Sequence, residues 1–186
     1  EVVIETPQHG DTLGSMSERR IEDILWAFRD RILDLKKDQR FRYILLFKNH
    51  GEAAGASLEH PHSQLIATPI IPKRVQEELD GAKEYYNYKE RCVFCDMVRQ
   101  EINQGVRLIT QNADFVAIAP FAARFPFETW ILPKAHDPFL EDAQKHEYVS
   151  LSRILREMIL RMEKVLTNPP SNLMLHNSPL RETVGR

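Results

Sequence analysis

Apolar residues recur at three- and four-residue steps over Ile21, Ile24, Leu25, Phe28, Ile32 and Leu35, with Glu, Asp and Arg between them. That spacing predicts an amphipathic helix whose first turn Ser17 can cap. Ahead of it, Val2-Val-Ile4 reads as a short strand running into the turn-rich Thr6-Pro-Gln-His-Gly-Asp11. After a polar break at Lys36 to Arg40, the run Phe41-Arg-Tyr-Ile-Leu-Leu-Phe47 has the content of a buried strand that ends at Asn49. Gly51-Glu-Ala-Ala-Gly55-Ala-Ser57 is small enough for backbone to approach a ligand. It leads into His60-Pro-His62-Ser-Gln64 and a strand ending at Pro69, and Lys73 to Arg91 reads as a charged helical linker.

Beyond Cys92 the pattern predicts strands over Arg107–Ile109, Phe115–Ala119 and Glu128–Leu132, then Pro133-Lys-Ala-His136. A long helix follows with Val149, Ile154, Leu155, Met158, Ile159, Met162 and Val165 on its apolar side. Asn168-Pro-Pro should end it, because proline lacks the N–H donor and clashes with the preceding turn. A last strand covers Asn172–His176. Strand, proline-linked histidine, helix, polar break, apolar strand and asparagine thus occur twice: His9 matches His136 and Asn49 matches Asn177, at offsets of 127 and 128. Such self-similarity points to two copies of one supersecondary unit. The chain is expected to hold the end of one copy and the beginning of another, as part of a longer protein.

With 25 Lys+Arg against 27 Asp+Glu, the net charge of −2 offers no electrostatic footprint for nucleic acid or an acidic membrane surface. The longest apolar runs fall far short of the roughly 20 residues that span a bilayer. A cytoplasmic protein is the expectation. Its two cysteines, Cys92 and Cys95, are too few for a disulfide framework and are spaced like half a zinc site or a redox pair, of which a metal clip is the better reading.

The strongest chemical signal is Asn49-His-Gly-Glu-Ala-Ala-Gly-Ala-Ser57-Leu-Glu-His60-Pro-His62-Ser-Gln64. At i and i+2 on an extended segment, His60 and His62 are expected to turn to opposite faces, one to a metal and the other to a substrate. A neutral imidazole held at one nitrogen by a backbone carbonyl can attack phosphorus with the other, dividing a phosphoryl exchange into two in-line steps. Ser57 and Gln64 could donate to the phosphoryl oxygens as charge develops. His50, His146 and His176 read as ordinary satisfied residues, and Met158 and Met162 as packing.

This run resembles the active-site motif of the galactose-1-phosphate uridylyltransferase family, a branch of the histidine-triad superfamily. Glu5-Thr-Pro-Gln-His9, Cys92-Val-Phe-Cys95 and Phe125-Pro-Phe-Glu-Thr-Trp-Ile-Leu-Pro-Lys134 extend the resemblance over nearly the whole chain. It implies an α+β, histidine-triad-like fold, a duplicated antiparallel sheet with packed helices. Residues 1–72 would be the C-terminal part of the first repeat, 73–91 a helical linker and 92–186 the N-terminal part of the second. It further implies that His62 is the nucleophile, that Asn49, Ser57 and Gln64 bind the phosphates, and that His60 and His9 are zinc ligands. Cys92, Cys95 and His136 would be three ligands of a second zinc site, the fourth falling just past Arg186. Two departures stand out: Ala56 replaces a cysteine of some uridylyltransferases, and Ser63 a glycine of many.

The activity implied is exchange of UMP between UDP-glucose and galactose 1-phosphate through a covalent uridylyl-His62 intermediate. The alternatives are a nucleotide-sugar phosphorylase or adenylyltransferase of the ADP-glucose type, and a zinc-stabilised nucleotide-binding fragment without turnover. The expected partners are a nucleotide sugar and a sugar 1-phosphate, with neither nucleic acid nor membrane. A homodimer follows from the resemblance alone.

Overall fold

The structure is a computed structural model and describes residues 1–180. Helix α1 (Glu18–Leu35) starts where expected: Ser17 is extended and its hydroxyl accepts the Arg20 N–H at 3.3 Å. That satisfies one of the donors a helix start leaves unpaired. The apolar stripe Ile21, Ile24, Leu25, Phe28 and Ile32 is buried. It shares one core with Ile44 and Leu46 of strand β2 (Tyr43–His50), Leu65 of β3 (His62–Thr68), and Tyr148 and Leu155 of helix α4 (Lys145–Leu166). Strands β1 (Val2–Ile4) and β7 (Ser171–Leu175) complete an antiparallel sheet in the order β1-β3-β2-β7.

The repeat seen in the sequence is built into this packing. Helices α1 and α4 begin at residues 18 and 145, and β2 and β7 at 43 and 171, offsets of 127 and 128. The two helices pack together and the two strands pair antiparallel, Leu46 opposite Leu175 and Phe47 opposite Met174. Residues 46 and 174 are repeat mates, as are 47 and 175, so the mates exchange places about a local two-fold between the strands.

A second antiparallel sheet, β4-β5-β6, comprises Leu108–Gln111, Phe115–Ile118 and Trp130–Pro133. Strand β5 is the run Phe-Val-Ala-Ile, apolar without alternation because both faces are covered. Phe115 and Ala117 pack with Ile154 and Met158 of α4, and Val116 and Ile118 with Val98. Val98 lies on α3 (Val93–Gln104), a helix that the sequence pattern did not predict. The linker helix α2 (Lys73–Lys89) has no buried residue and leans on α3.

The α+β expectation therefore holds, with antiparallel sheets and helices packed on them. Helix α4 stops at Leu166, and Thr167 and Asn168 turn left-handed before the proline pair. Val165, expected on the apolar side, is 70% exposed in the last turn of a helix four residues longer than α1. Among the described residues no helix is long and apolar enough to cross a membrane.

Candidate active site

Successive side chains of a strand alternate between faces, and cross-strand partners share one. Val2 pairs with Gln64, Gln64 with Phe47 and Phe47 with Met174, which makes one row across the sheet. In the neighbouring row Ile4 pairs with His62 and Asn49 with Asn172. Carrying the β2–β3 register two places beyond Phe47/Gln64 sets Asn49 level with His62. A polar row thus lies beside a largely apolar one, on the face opposite to Ile44, Leu46 and Leu65, which pack with α1. Val2, Ile4 and Met174 are more than half exposed there, while His62 is 4% exposed.

Residues two apart in a regular strand share a face, so the expected opposition of His60 and His62 cannot come from strand alternation. The chain bends at residues 59–60, and only His62 enters β3. The two rings consequently have different neighbours. His62 Nδ1 lies 2.8 Å from the His60 carbonyl oxygen, and His60 Nε2 lies 2.6 Å from that of Thr6. A carbonyl only accepts, so each facing nitrogen must carry its proton. In the neutral rings the free lone pair is therefore on Nε2 of His62 and on Nδ1 of His60.

The loop before His60 is shaped by Gly51 and Gly55, at φ 82° and 85°. These values suit glycine, and a Cβ on Gly51 would meet the Pro170 backbone at 3.3 Å. Asn172 Nδ2 donates to the Ala54 carbonyl at 2.9 Å and to Asn49 Oδ1 at 2.8 Å, while Asn49 Nδ2 reaches the Gly55 carbonyl at 3.3 Å. Asn49 thus holds the loop from within the polar row. Ser57 is exposed on the loop, and Gln64 is half-buried two places along the strand from His62.

Behind His62, on the α1 side, lies a cluster that the sequence reading missed. The Glu5 carboxylate accepts from Lys48 Nζ at 2.8 Å and from the Ser63 hydroxyl at 2.5 Å, and Lys48 Nζ also reaches the His62 carbonyl at 3.2 Å. The Glu5 and Lys48 side chains are 1% and 8% exposed. The only trace in the sequence is Lys48 interrupting an apolar run and Glu5 closing another. The Ser63 side chain is thus engaged by Glu5.

The expected metal ligands fall into two groups. The His9 and His60 rings meet edge-on at 4.6 Å between centroids. Ligand atoms of Cys92, Cys95 and His136 all lie within 4.8 Å of one another, with Cys95 Sγ 3.2 Å from His136 Nδ1. Cys92 caps α3 and Cys95 is in its first turn, so the helix start aims both sulfurs the same way. Two thiols and an imidazole suit zinc. Burial pushes the Cys95 thiol up, helped by the sulfur of Cys92. Next to it, Asp96 is held below the usual carboxylate range, first by the Tyr85 hydroxyl and then by Arg91 and Arg99, which ties α2 to α3. The fourth ligand expected beyond Arg186 lies outside the described residues.

The remaining histidines have ordinary partners: His50 meets Asn168 at 2.7 Å, His146 meets Asp114 at 3.5 Å and His176 meets Glu78 at 3.2 Å. Surface hollows of about 330 Å³ beside Leu35 and Phe41 and about 670 Å³ beside Asp114 and Lys145 lie away from His62.

Family models match both parts of the chain: the galactose-1-phosphate uridyl transferase N-terminal domain over residues 1–72 and its C-terminal domain over residues 78–185. An ADP-glucose phosphorylase of Arabidopsis thaliana is 38% identical over 183 residues, covering 98% of this chain and 51% of the relative. A galactose-1-phosphate uridylyltransferase of Thermotoga maritima is 32% identical, covering 98% and 57%. The chain spans about half the length of these curated relatives. Among solved structures, the Arabidopsis thaliana ADP-glucose phosphorylase with bound ADP-glucose superposes at TM-score 0.91 and 38% identity, over 98% of this chain and 58% of that one.

Proposed function

Since the chain belongs to the galactose-1-phosphate uridylyltransferase family, we propose that it carries the nucleophilic half of a nucleotidyltransferase site, with His62 as the residue that becomes nucleotidylated. The observation that carries this reading is the 2.8 Å contact of His62 Nδ1 with the His60 carbonyl, which leaves the Nε2 lone pair free. In the first step Nε2 attacks the α-phosphorus of a nucleotide sugar. The N–P bond forms, the bond from that phosphorus to the bridging oxygen breaks, and a sugar 1-phosphate leaves. In the second step an acceptor phosphate oxygen attacks the same phosphorus and the N–P bond breaks, which restores the imidazole. Nδ1 keeps its proton on the His60 carbonyl throughout. Asn49 and Gln64, on the same face, and Ser57 on the loop would donate to the phosphoryl oxygens.

UDP-glucose with galactose 1-phosphate is the substrate pair of the first reading. A second reading, ADP-glucose with inorganic phosphate, is favoured by the 38% identity to the ADP-glucose phosphorylase against 32% to the uridylyltransferase. Supplying the full-length protein with each nucleotide sugar, and either phosphate or galactose 1-phosphate, separates them by products. ADP from ADP-glucose and phosphate supports the second, and UDP-galactose the first.

Cys92, Cys95 and His136 would hold a zinc ion, as would His9 and His60 with further ligands. A bound zinc would supply structure, pinning the start of α3 to the segment after β6.

A further inference from the structure

We infer that the buried Glu5–Lys48 pair is a positioning device for His62, an inference that rests on the nucleophilic role proposed above. Three consecutive residues are tied by it. The Glu5 backbone N–H donates to the Pro61 carbonyl at 3.2 Å, Lys48 Nζ donates to the His62 carbonyl at 3.2 Å, and the Glu5 carboxylate accepts the Ser63 hydroxyl at 2.5 Å. The 2.8 Å ion pair between Glu5 and Lys48 joins the last two ties from behind the strand. His62 is thereby fixed at its own carbonyl and at both neighbours, and its ring is fixed through Nδ1 on the His60 carbonyl.

The chemistry of the cluster argues against simple stabilisation. A buried ion pair loses hydration on both partners, and well-packed apolar replacements of such pairs are often as stable. Neither charge faces the side of the sheet on which His62 and Asn49 lie, so neither binds substrate. What the pair supplies is a fixed backbone beneath the attacking nitrogen. In-line attack depends steeply on that placement, and a misplacement of about 1 Å can cost on the order of a hundredfold in rate. Glu5 and Lys48 are positioning residues acting through His62.

The test is the double variant Glu5→Gln with Lys48→Met in the full-length protein, which removes both charges together and leaves none buried alone. Ser63→Ala is the milder second variant, removing one tie and keeping the ion pair. Each is first checked by circular dichroism and thermal unfolding, then assayed for nucleotidyl transfer. The expected result for the double variant is a native spectrum, a KM for nucleotide sugar within about twofold of wild type and a kcat lower by about tenfold or more. Ser63→Ala should fall between. In ¹⁵N-histidine-labelled protein the His62 ring signal should shift or broaden in the double variant, with the His136 signal unmoved. An unchanged kcat together with an unchanged His62 signal overturns the proposal. If wild type forms no nucleotidyl adduct, the functional reading fails instead. The His62 signal still decides whether Glu5 and Lys48 fix that residue.

Discussion

Asn172 Nδ2 donates at 2.8 Å to Asn49 Oδ1, joining the last described strand to the strand that leads into the glycine-containing loop. The same nitrogen donates to the Ala54 carbonyl at 2.9 Å. A residue 123 positions along the chain from Asn49 therefore sets both the orientation of its amide and the path of the loop. Asn172→Ala removes both bonds from a partly solvated site, at a cost of about 1 kcal/mol. Amide exchange should accelerate over Gly51–Gly55 and stay unchanged in α1. Equal protection of the loop in the variant would mean that Asn172 does not hold it.

Cys95→Ser should remove metal from the group formed with Cys92 and His136 and lower the melting temperature, because a structural zinc contributes on the order of 10 kcal/mol to folds that depend on it. Elemental analysis of the purified protein, wild type against variant, checks this. Loss of zinc equivalent to one site per chain is expected. Identical metal content in the two proteins would remove the site.

Burial raises the Tyr148 phenol well above its ordinary 10.0, with Glu141 adding to the effect and Arg29 opposing it. Burial likewise raises Tyr43, and the Glu78 charge adds to it. Above pH 10 the unfolded chain releases these protons while the folded chain retains them. The stability they contribute is complete below pH 10 and is lost as pH rises through the folded values. Alkaline titration followed by tyrosinate absorbance and by circular dichroism should show a late ionisation step that coincides with unfolding. Tyr148→Phe should reduce that step. A titration complete before any loss of structure would contradict the burial argument.

Much of this was legible in the sequence, and what was not shares a physical reason. Helix α1 was readable because its apolar period, its cap and its polar faces all agree, and β5 because a short unbroken apolar run marks a strand covered on both sides. Helix α3 was not legible because Val98 is the single buried apolar residue of the helix. The repeat was readable as an offset, yet the offset alone does not say that β2 and β7 pair, which is fixed by packing between residues far apart in the chain. The same limit hid Glu5, Lys48 and Asn172. A charge or an amide in a strand shows its partner only once the register is known. His62 was found from its motif, while the tautomer that frees its Nε2 came from the bend at His60 and the carbonyl that this bend presents.

The most direct measurement is the intact mass of the denatured full-length protein before and after incubation with UDP-glucose or ADP-glucose, followed by peptide mapping. A uridylyl or adenylyl increment on the peptide carrying His62, absent in His62→Ala together with all exchange, is the expected result. An adduct on another residue, or exchange that persists in His62→Ala, would contradict the assignment of His62 as the nucleophile.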